Sequence, residues 1–270
     1  MSIRRNYVDG PFGQVHLRMA GARAGAGAGV LLLHQSPLGG AMFDAVLPLL
    51  ARAGFAVVAA DTPGFGQSDL PATDAGIAGY ARAMVAVLDA LGWERAHIVG
   101  HHTGASIAAT LGAHRGARVD RLILNGPALI SDEERAHFSA FRFDPLNIQA
   151  DGSHLLAAWN QRIAATPGWT DLGAMHRYVT EMLANPVHYG RGFSAAFAHD
   201  LAADLAAITA PTLILTNSGD DLFAASQRAA ALRPDFSFLA LQGGTHDIVD
   251  EQPAEWTAAV VDFLKGSEGA

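Results

Sequence analysis

The residues best suited to acid–base chemistry lie in widely separated parts of the 270-residue chain. Residues 100–104 read GHHTG, with His102 in the middle, and the sequence later contains Asp220, Asp221 and His246. Imidazole exchanges protons near neutral pH, and a neighbouring carboxylate orients it and stabilises its charged form. If the fold brings these segments together, they predict proton transfer or nucleophilic attack at one site.

Composition and local motifs exclude several other kinds of site. The chain has no cysteine, which excludes disulfides, thiolate metal sites and a cysteine nucleophile. Its net charge of −8 argues against the basic face of a nucleic-acid-binding protein. Residues 64–66 lack the third glycine of a dinucleotide loop, and the glycine-rich segment 21–29 lacks a following phosphate-binding lysine, so we expect a flexible connection there. We therefore expect a small-molecule substrate and no cofactor.

Four histidines, at positions 34, 101, 102 and 246, raise the question of a metal site. Three or four imidazoles can bind zinc. However, no His-x-x-x-His pair occurs on a predicted helix, and most of these histidines have another explanation below. We therefore expect no functional metal.

Alternating apolar runs and helical patterns predict an α/β fold with a mostly parallel, doubly wound sheet. A hairpin is predicted over residues 6–19, and buried strands are predicted at 30–33, 55–60, 96–99, 121–124, 211–215 and 236–241. Helices are predicted at 41–53 (interrupted by Pro48), 75–91, 103–114 and 253–265. The chemically active segments follow predicted strands. Because ligands bind at the carboxyl ends of parallel strands, these segments should meet at one edge of the sheet.

Residues 128–207 break the alternation, since they contain helical patterns and no convincing strand. We interpret them as a helical cap over a core made of residues 1–127 and 208–270. Several aromatic residues of this segment could form apolar walls: Phe138, Phe141, Phe143, Trp159, Trp169, Phe193 and Phe197. An apolar pocket of moderate size would favour an uncharged or weakly polar substrate.

From about residue 12 to residue 264, the order of these motifs resembles that of the α/β-hydrolase fold family. The family's nucleophile elbow is Gly-x-Ser-x-Gly, a sharp turn from strand to helix that presents one side chain to the site. Here Gly100 and Gly104 flank His102, so a histidine stands where the family has its nucleophilic serine.

The resemblance implies roles for the remaining residues. His246 corresponds to the catalytic histidine, and Asp220 to its acid, with Asp221 as the close competitor. The backbone amides of Ser36 and Thr103 correspond to the oxyanion hole. His34 precedes Ser36 in the same loop and joins this oxyanion and substrate-binding group. The resulting triad variant is His102–Asp220–His246.

The role of His102 stays open at this stage. A neutral imidazole can be a nucleophile, a general base or a hydrogen-bond donor to a substrate oxygen. The leading hypothesis is a cofactor-independent hydrolase of a small ester or lactone. The alternatives are a non-hydrolytic lyase (hydroxynitrile or C–C lyase), a cofactor-free oxygenase using His102 and His246 as acid and base, and a catalytically silent binding module.

We expect neither an export signal nor a membrane-spanning segment. No apolar stretch follows Arg4 and Arg5, and no run of about 18 uncharged apolar residues occurs. The sequence therefore predicts a cytoplasmic protein that does not span a membrane, and it leaves open a homodimer.

Overall fold

The computed structural model describes residues 2–21, 29–140, 146–166 and 168–266, without the side chains of 137–140. Most of the glycine-rich connection predicted at 21–29 lies outside the described residues. So do Phe141 and Phe143, two of the aromatic residues assigned to the cap, and the side chain of Phe138.

Eight strands form one sheet in the order β1-β2-β4-β3-β5-β6-β7-β8. The strands are β1 (Arg4–Gly10), β2 (Gly13–Ala20), β3 (Gly29–Leu33), β4 (Ala56–Ala60), β5 (Ala96–His101), β6 (Val119–Asn125), β7 (Thr212–Asn217) and β8 (Ser237–Leu241). The hairpin β1–β2 joins the sheet in antiparallel fashion, and the pairs from β4 to β8 are parallel. The predicted fold class is confirmed.

Helices cover both faces of the sheet, which explains why β3 and β4 are buried along their whole lengths. The helices outside the long insertion are α1 (Leu47–Arg52), α2 (Gly76–Ala90), α3 (Thr103–His114), α9 (Phe223–Leu232), α10 (Ile248–Glu251) and α11 (Pro253–Leu264). One core layer includes side chains of α2 and α3, and the other includes side chains of α1 and α11.

One predicted helix needs correction, and one helix of the structure, α9, was missed. The single helix expected over 41–53 is a short 3₁₀ turn (Gly40–Phe43) followed by α1, which has Pro48 in its first turn. Proline fits there because the first N–H groups of a helix have no partner within the helix. Helix α9 was not predicted, because its buried face is built largely from alanine and gives little hydrophobic contrast.

The described part of the insertion between β6 and β7 contains five helices: α4 (Asp132–Ala140), α5 (Ser153–Ala165), α6 (Leu172–Ala184), α7 (Arg191–Ala198) and α8 (Leu201–Ala207). No strand occurs among the described residues of this segment. Helices α5 and α6 pack on each other, whereas α8 packs on α3 beside the sheet. There Asp204 accepts hydrogen bonds from Thr110, His114 and His199. In the described ranges, no helix combines the length and apolar character needed to cross a membrane.

Candidate active site

The turn from β5 to α3 has the geometry of a nucleophile elbow. His102 has φ +50° and ψ −109°, and it is the only non-glycine residue with positive φ among those described. A Cβ atom on Gly100 would lie 2.1 Å from the Gly104 carbonyl oxygen, and one on Gly104 would lie 2.1 Å from that of Leu33. Only glycine fits at either position, so the strained conformation is held by close backbone packing around it.

His102 is paired with a buried carboxylate. Its Nε2 lies 3.0 Å from Oδ2 of Asp220, which follows β7. Burial alone would raise the pKa of Asp220, but the attraction of His102 and hydrogen bonds, including one from the Leu222 N–H, lower it to about 2. An ionised carboxylate only accepts hydrogen bonds, so the network assigns the hydrogen to Nε2 of His102. Its Nδ1 has no hydrogen-bond partner among the described residues.

Gly126, immediately after β6, provides the space for the His102 ring. A Cβ atom at this position would lie 2.6 Å from Nε2 of His102 and 2.9 Å from Oδ2 of Asp220. The residue also has φ +62°. The elbow imidazole thus depends on a glycine in the neighbouring strand connection.

The acid partner of His246 differs from the expected one. Nδ1 of His246 lies 3.2 Å from Oδ2 of Asp221, whereas Asp220 binds His102. The reason is the reach of the elbow side chain, since an imidazole extends as far as the carboxylate after β7 and a serine hydroxyl would not. Burial lowers the pKa of His246, but the hydrogen bond with Asp221 and the charge of Asp247 raise it above its usual value overall.

His101 connects the two imidazoles. Its ring stacks on that of His102, with centroids 4.5 Å apart and planes 1° from parallel. Its Nε2–H donates to the backbone carbonyl of His246 over 2.8 Å. Burial and the neighbouring His102 lower the pKa of His101 to about 4, so it is neutral at physiological pH. The centroids of the His102 and His246 rings are 6.5 Å apart.

The structure adds three polar residues that the sequence did not assign to the site. Arg162 of α5 donates from Nη1 to Nε2 of His246 over 2.8 Å, and its Nη2 forms an ion pair with Asp247. The other carboxylate oxygen of Asp247 accepts from Nε2 of Gln35 over 3.2 Å. A sequence signal existed, because Arg162 is the only Lys, Arg, Asp or Glu in the thirteen residues of α5.

The residues expected to form the oxyanion hole separate into two groups. Ser36 and Thr103 line the cavity next to His102, and neither backbone N–H donates to another described residue. His34 does not line the cavity. Its Nδ1–H donates to the Gln35 carbonyl over 2.9 Å, and its Nε2 accepts from the Thr62 N–H over 2.8 Å. Burial lowers the pKa of His34, which suits this neutral role in bracing two loops.

These side chains surround a cavity of about 190 Å³. Its polar side is formed by His102, His246 and the residues around them. Its apolar side is formed by Ala128, Ala165, Phe193, Ala196, Phe197 and Leu222. A space of this size and lining suits a small substrate with an apolar body. Within the described residues, no group of three or more histidine, aspartate or glutamate side chains is arranged to hold a metal ion.

Comparisons with known proteins agree with this geometry. A family model described as the alpha/beta hydrolase fold matches residues 30–253. A putative carbamate hydrolase of Variovorax paradoxus is 31% identical over 252 residues, which cover 89% of this chain and 93% of the relative.

Two further matches differ in extent. An uncharacterized protein of Mycobacterium tuberculosis is 40% identical over 114 residues, and this match spans 42% of the chain but only 33% of that relative's length. A hydrolase from Pseudomonas aeruginosa superposes with a TM-score of 0.79 at 23% identity, over 97% of this chain and 98% of that chain. The sequence-based resemblance is confirmed, and the chain belongs to the α/β-hydrolase fold family.

Proposed function

We propose that this protein hydrolyses a small, largely apolar ester or lactone-type substrate without a cofactor. The observation that carries the proposal is the pair formed by His102 and the buried Asp220 at the elbow, with Nδ1 of His102 left without a partner among the described residues. The unpaired amides of Ser36 and Thr103 beside it are suited to bind an oxyanion.

In the general-base route, Nδ1 of His102 removes a proton from water while the water oxygen attacks the acyl carbon. The negative charge that develops on the carbonyl oxygen is stabilised by the amides of Ser36 and Thr103. Asp220 stabilises the imidazolium that forms. Collapse of the tetrahedral intermediate expels the alkoxide, which takes the proton back from Nδ1, so the products are one acid and one alcohol.

In the nucleophilic route, Nδ1 attacks the acyl carbon itself, and the bond to the leaving oxygen breaks. The expelled alkoxide takes a proton from water, and the hydroxide that remains is consumed when the acyl group is hydrolysed. The resulting acyl-imidazole is short-lived and is hydrolysed by water. Both routes use the same pair and the same amides, so the substrate class does not depend on which one operates. Detection of an acylated chain separates them.

The relative from Variovorax paradoxus supports an acyl substrate, because a carbamate, like an ester, has a carbonyl carbon bonded to a heteroatom that can leave. Small carbamates therefore belong in the substrate panel beside esters and lactones. The cavity of about 190 Å³ favours the smallest members.

A second candidate is proton-transfer chemistry without hydrolysis, by a lyase or a cofactor-free oxygenase. The observation in its favour is that two imidazoles, His102 and His246, line one cavity, and that the central residue of the elbow carries an imidazole in place of a hydroxyl. Cleavage of cyanohydrins or β-hydroxyketones, or oxygen consumption, would identify this class. Thermal stabilisation by a ligand without turnover would instead identify a silent binding module.

The test is turnover of p-nitrophenyl esters of increasing chain length, lactones and carbamates, by wild type and by His102→Ala, His102→Ser and Asp220→Asn. His176→Ala, at an exposed histidine of α6, is the matched control. We expect losses of about 100-fold or more for His102→Ala and unchanged activity for the control. Mass spectrometry after rapid quenching looks for the acyl adduct. Full activity in His102→Ala would refute the proposal, and inert wild type that gains esterase activity as His102→Ser would direct the search to the second candidate.

A further inference from the structure

One cationic side chain of the cap lies directly against the candidate active site. The side chain of Arg162 is 2% exposed. Its guanidinium carbon lies 3.8 Å from the centroid of the Tyr178 ring and 5.2 Å from that of Trp169. Together with the ion pair to Asp247, these contacts hold the guanidinium against Nε2 of His246 at 2.8 Å.

This contact has consequences for the proton on His246. A guanidinium is charged at all accessible pH values and can only donate hydrogen bonds. Nε2 of His246 lies 2.8 Å from Nη1 of Arg162 and 3.2 Å from Oδ2 of Asp247. Because the guanidinium contact is the shorter one, we assign Nε2 as the unprotonated acceptor. The single ring hydrogen then lies on Nδ1, where it is donated to Asp221 over 3.2 Å. Protonation of Nε2 would set one N–H against another and place two positive charges in contact.

The charged and titratable groups around His246 act in opposite directions. The imidazolium form is favoured by Asp221, from the loop after β7, and by Asp247, the next residue in the chain. Arg162 opposes it from the cap. The other titratable groups nearby are His101, which binds the backbone of His246, the pair His102–Asp220, and Tyr178 of α6 beneath the guanidinium.

We propose that Arg162 is a positioning residue, which fixes neutral His246 in its Nδ1-protonated form and opposes protonation of its Nε2 whenever α5 is seated over the cavity. In this arrangement Nε2 of His246 is unavailable to the substrate, so the proton acceptor of the site is Nδ1 of His102. The catalytic meaning of this assignment rests on the proposed function, but the state of His246 does not. Because Arg162 binds only the neutral ring, seating of the cap and protonation of His246 oppose each other.

The experiment is an NMR titration of ¹⁵N-histidine-labelled protein, with the His246 signals assigned from a His246→Asn variant. Wild type is compared with Arg162→Met, Arg162→Lys and Arg177→Met. Arg177 is the matched control, since it is also a cap arginine, on α6, that pairs with an aspartate of the same C-terminal segment, Asp250. It has no hydrogen bond with His246.

In wild type at high pH, we expect the hydrogen of His246 on Nδ1. In Arg162→Met, we expect the titration midpoint of His246 to rise by about one to two pH units, because one close positive charge is lost. Arg162→Lys should recover part of this change, and Arg177→Met should stay within about 0.3 unit of wild type.

Two results would overturn the inference: an Nε2-protonated His246 in wild type at high pH, or an unchanged midpoint in Arg162→Met. If Arg162→Met does not fold, the tautomer of His246 in wild type still tests the inference. Absence of hydrolysis would count against the proposed function while leaving the NMR result intact.

Discussion

Replacing Gly126 by alanine should uncouple the elbow histidine from its carboxylate. The added Cβ atom would lie 2.4 Å from Cδ2 and 2.6 Å from Nε2 of His102, and 2.9 Å from Oδ2 of Asp220. Asp220 is fully buried and cannot yield, whereas the His102 ring borders the cavity and can move into it. The imidazole must therefore move away from Asp220.

The magnitude follows from two separate costs. An L-residue at φ near +60° costs about 1–2 kcal/mol of stability. The second cost is the loss of the contact between His102 and Asp220. A hydrogen bond to a charged group contributes about 2 kcal/mol. If this interaction stabilises the imidazolium of the transition state, its loss lowers kcat/KM by about 30-fold.

Gly76→Ala is the matched control, because Gly76 also has φ +62° but nothing lies within 4 Å of the Cβ position. Gly76→Ala should lose about 1–2 kcal/mol in denaturant unfolding and Gly126→Ala should lose more, and only Gly126→Ala should lose activity on the best ester of the panel. The His102 ¹⁵N signals give a readout that does not depend on turnover. Activity of Gly126→Ala within about threefold of wild type, or an equal loss in Gly76→Ala, would refute the reasoning.

Three further perturbations test other parts of the molecule. Glu181 of α6 accepts a hydrogen bond from the Gly39 N–H over 2.5 Å, and burial raises its pKa to about 7. A raised carboxyl pKa destabilises the fold as pH rises from about 4.5 to 7, so Glu181→Gln should match wild type at pH 4.5 and exceed it at pH 8 by about 1–3 kcal/mol in urea unfolding. In Gly192→Ala the new Cβ would lie 1.8 Å from Oγ of Ser36, so kcat/KM should fall, and adding Ser36→Ala should restore part of it. Asp204→Asn weakens the cluster that joins α8 to α3, and thermal unfolding should report a loss of about 2 kcal/mol at pH 7.

Much of the fold could be predicted because buried parallel strands leave a strong signal. Residues 30–33 are continuously apolar, residues 211–215 are apolar except for Thr212, and the two runs coincide with strands β3 and β7 to within a few residues. The hydrophobic pattern does not reveal an element whose buried face consists of small residues. Helix α9 is buried through Ala225, Ser226 and Ala229, whose side chains give almost no contrast between an inner and an outer face.

The clustering of the candidate site residues was also predictable, but the pairing of the two aspartates with the two imidazoles was not. The motif order places residues 100–104, 220–221 and 246 at the carboxyl ends of neighbouring strands. Asp220 and Asp221 are adjacent, and the imidazole that each one binds depends on how far the side chains extend. Spacing along the chain contains no information about that distance. Arg162 is a different case, since it comes from an inserted helix whose placement over the sheet cannot be derived from helical periodicity.

The residues around the elbow histidine provide both the space and the carboxylate that its side chain needs. Gly126 supplies the volume that the ring needs, and Asp220 and Asp221 give each of the two imidazoles its own acid. A carboxylate as buried as Asp220 is costly to keep ionised, and the neighbouring His102 offsets much of that cost. In a pocket that only bound a ligand, an apolar side chain of similar size would serve as well and would avoid the cost. The retention of a charged, oriented pair beside two unpaired amides therefore favours a site that moves protons over a silent one.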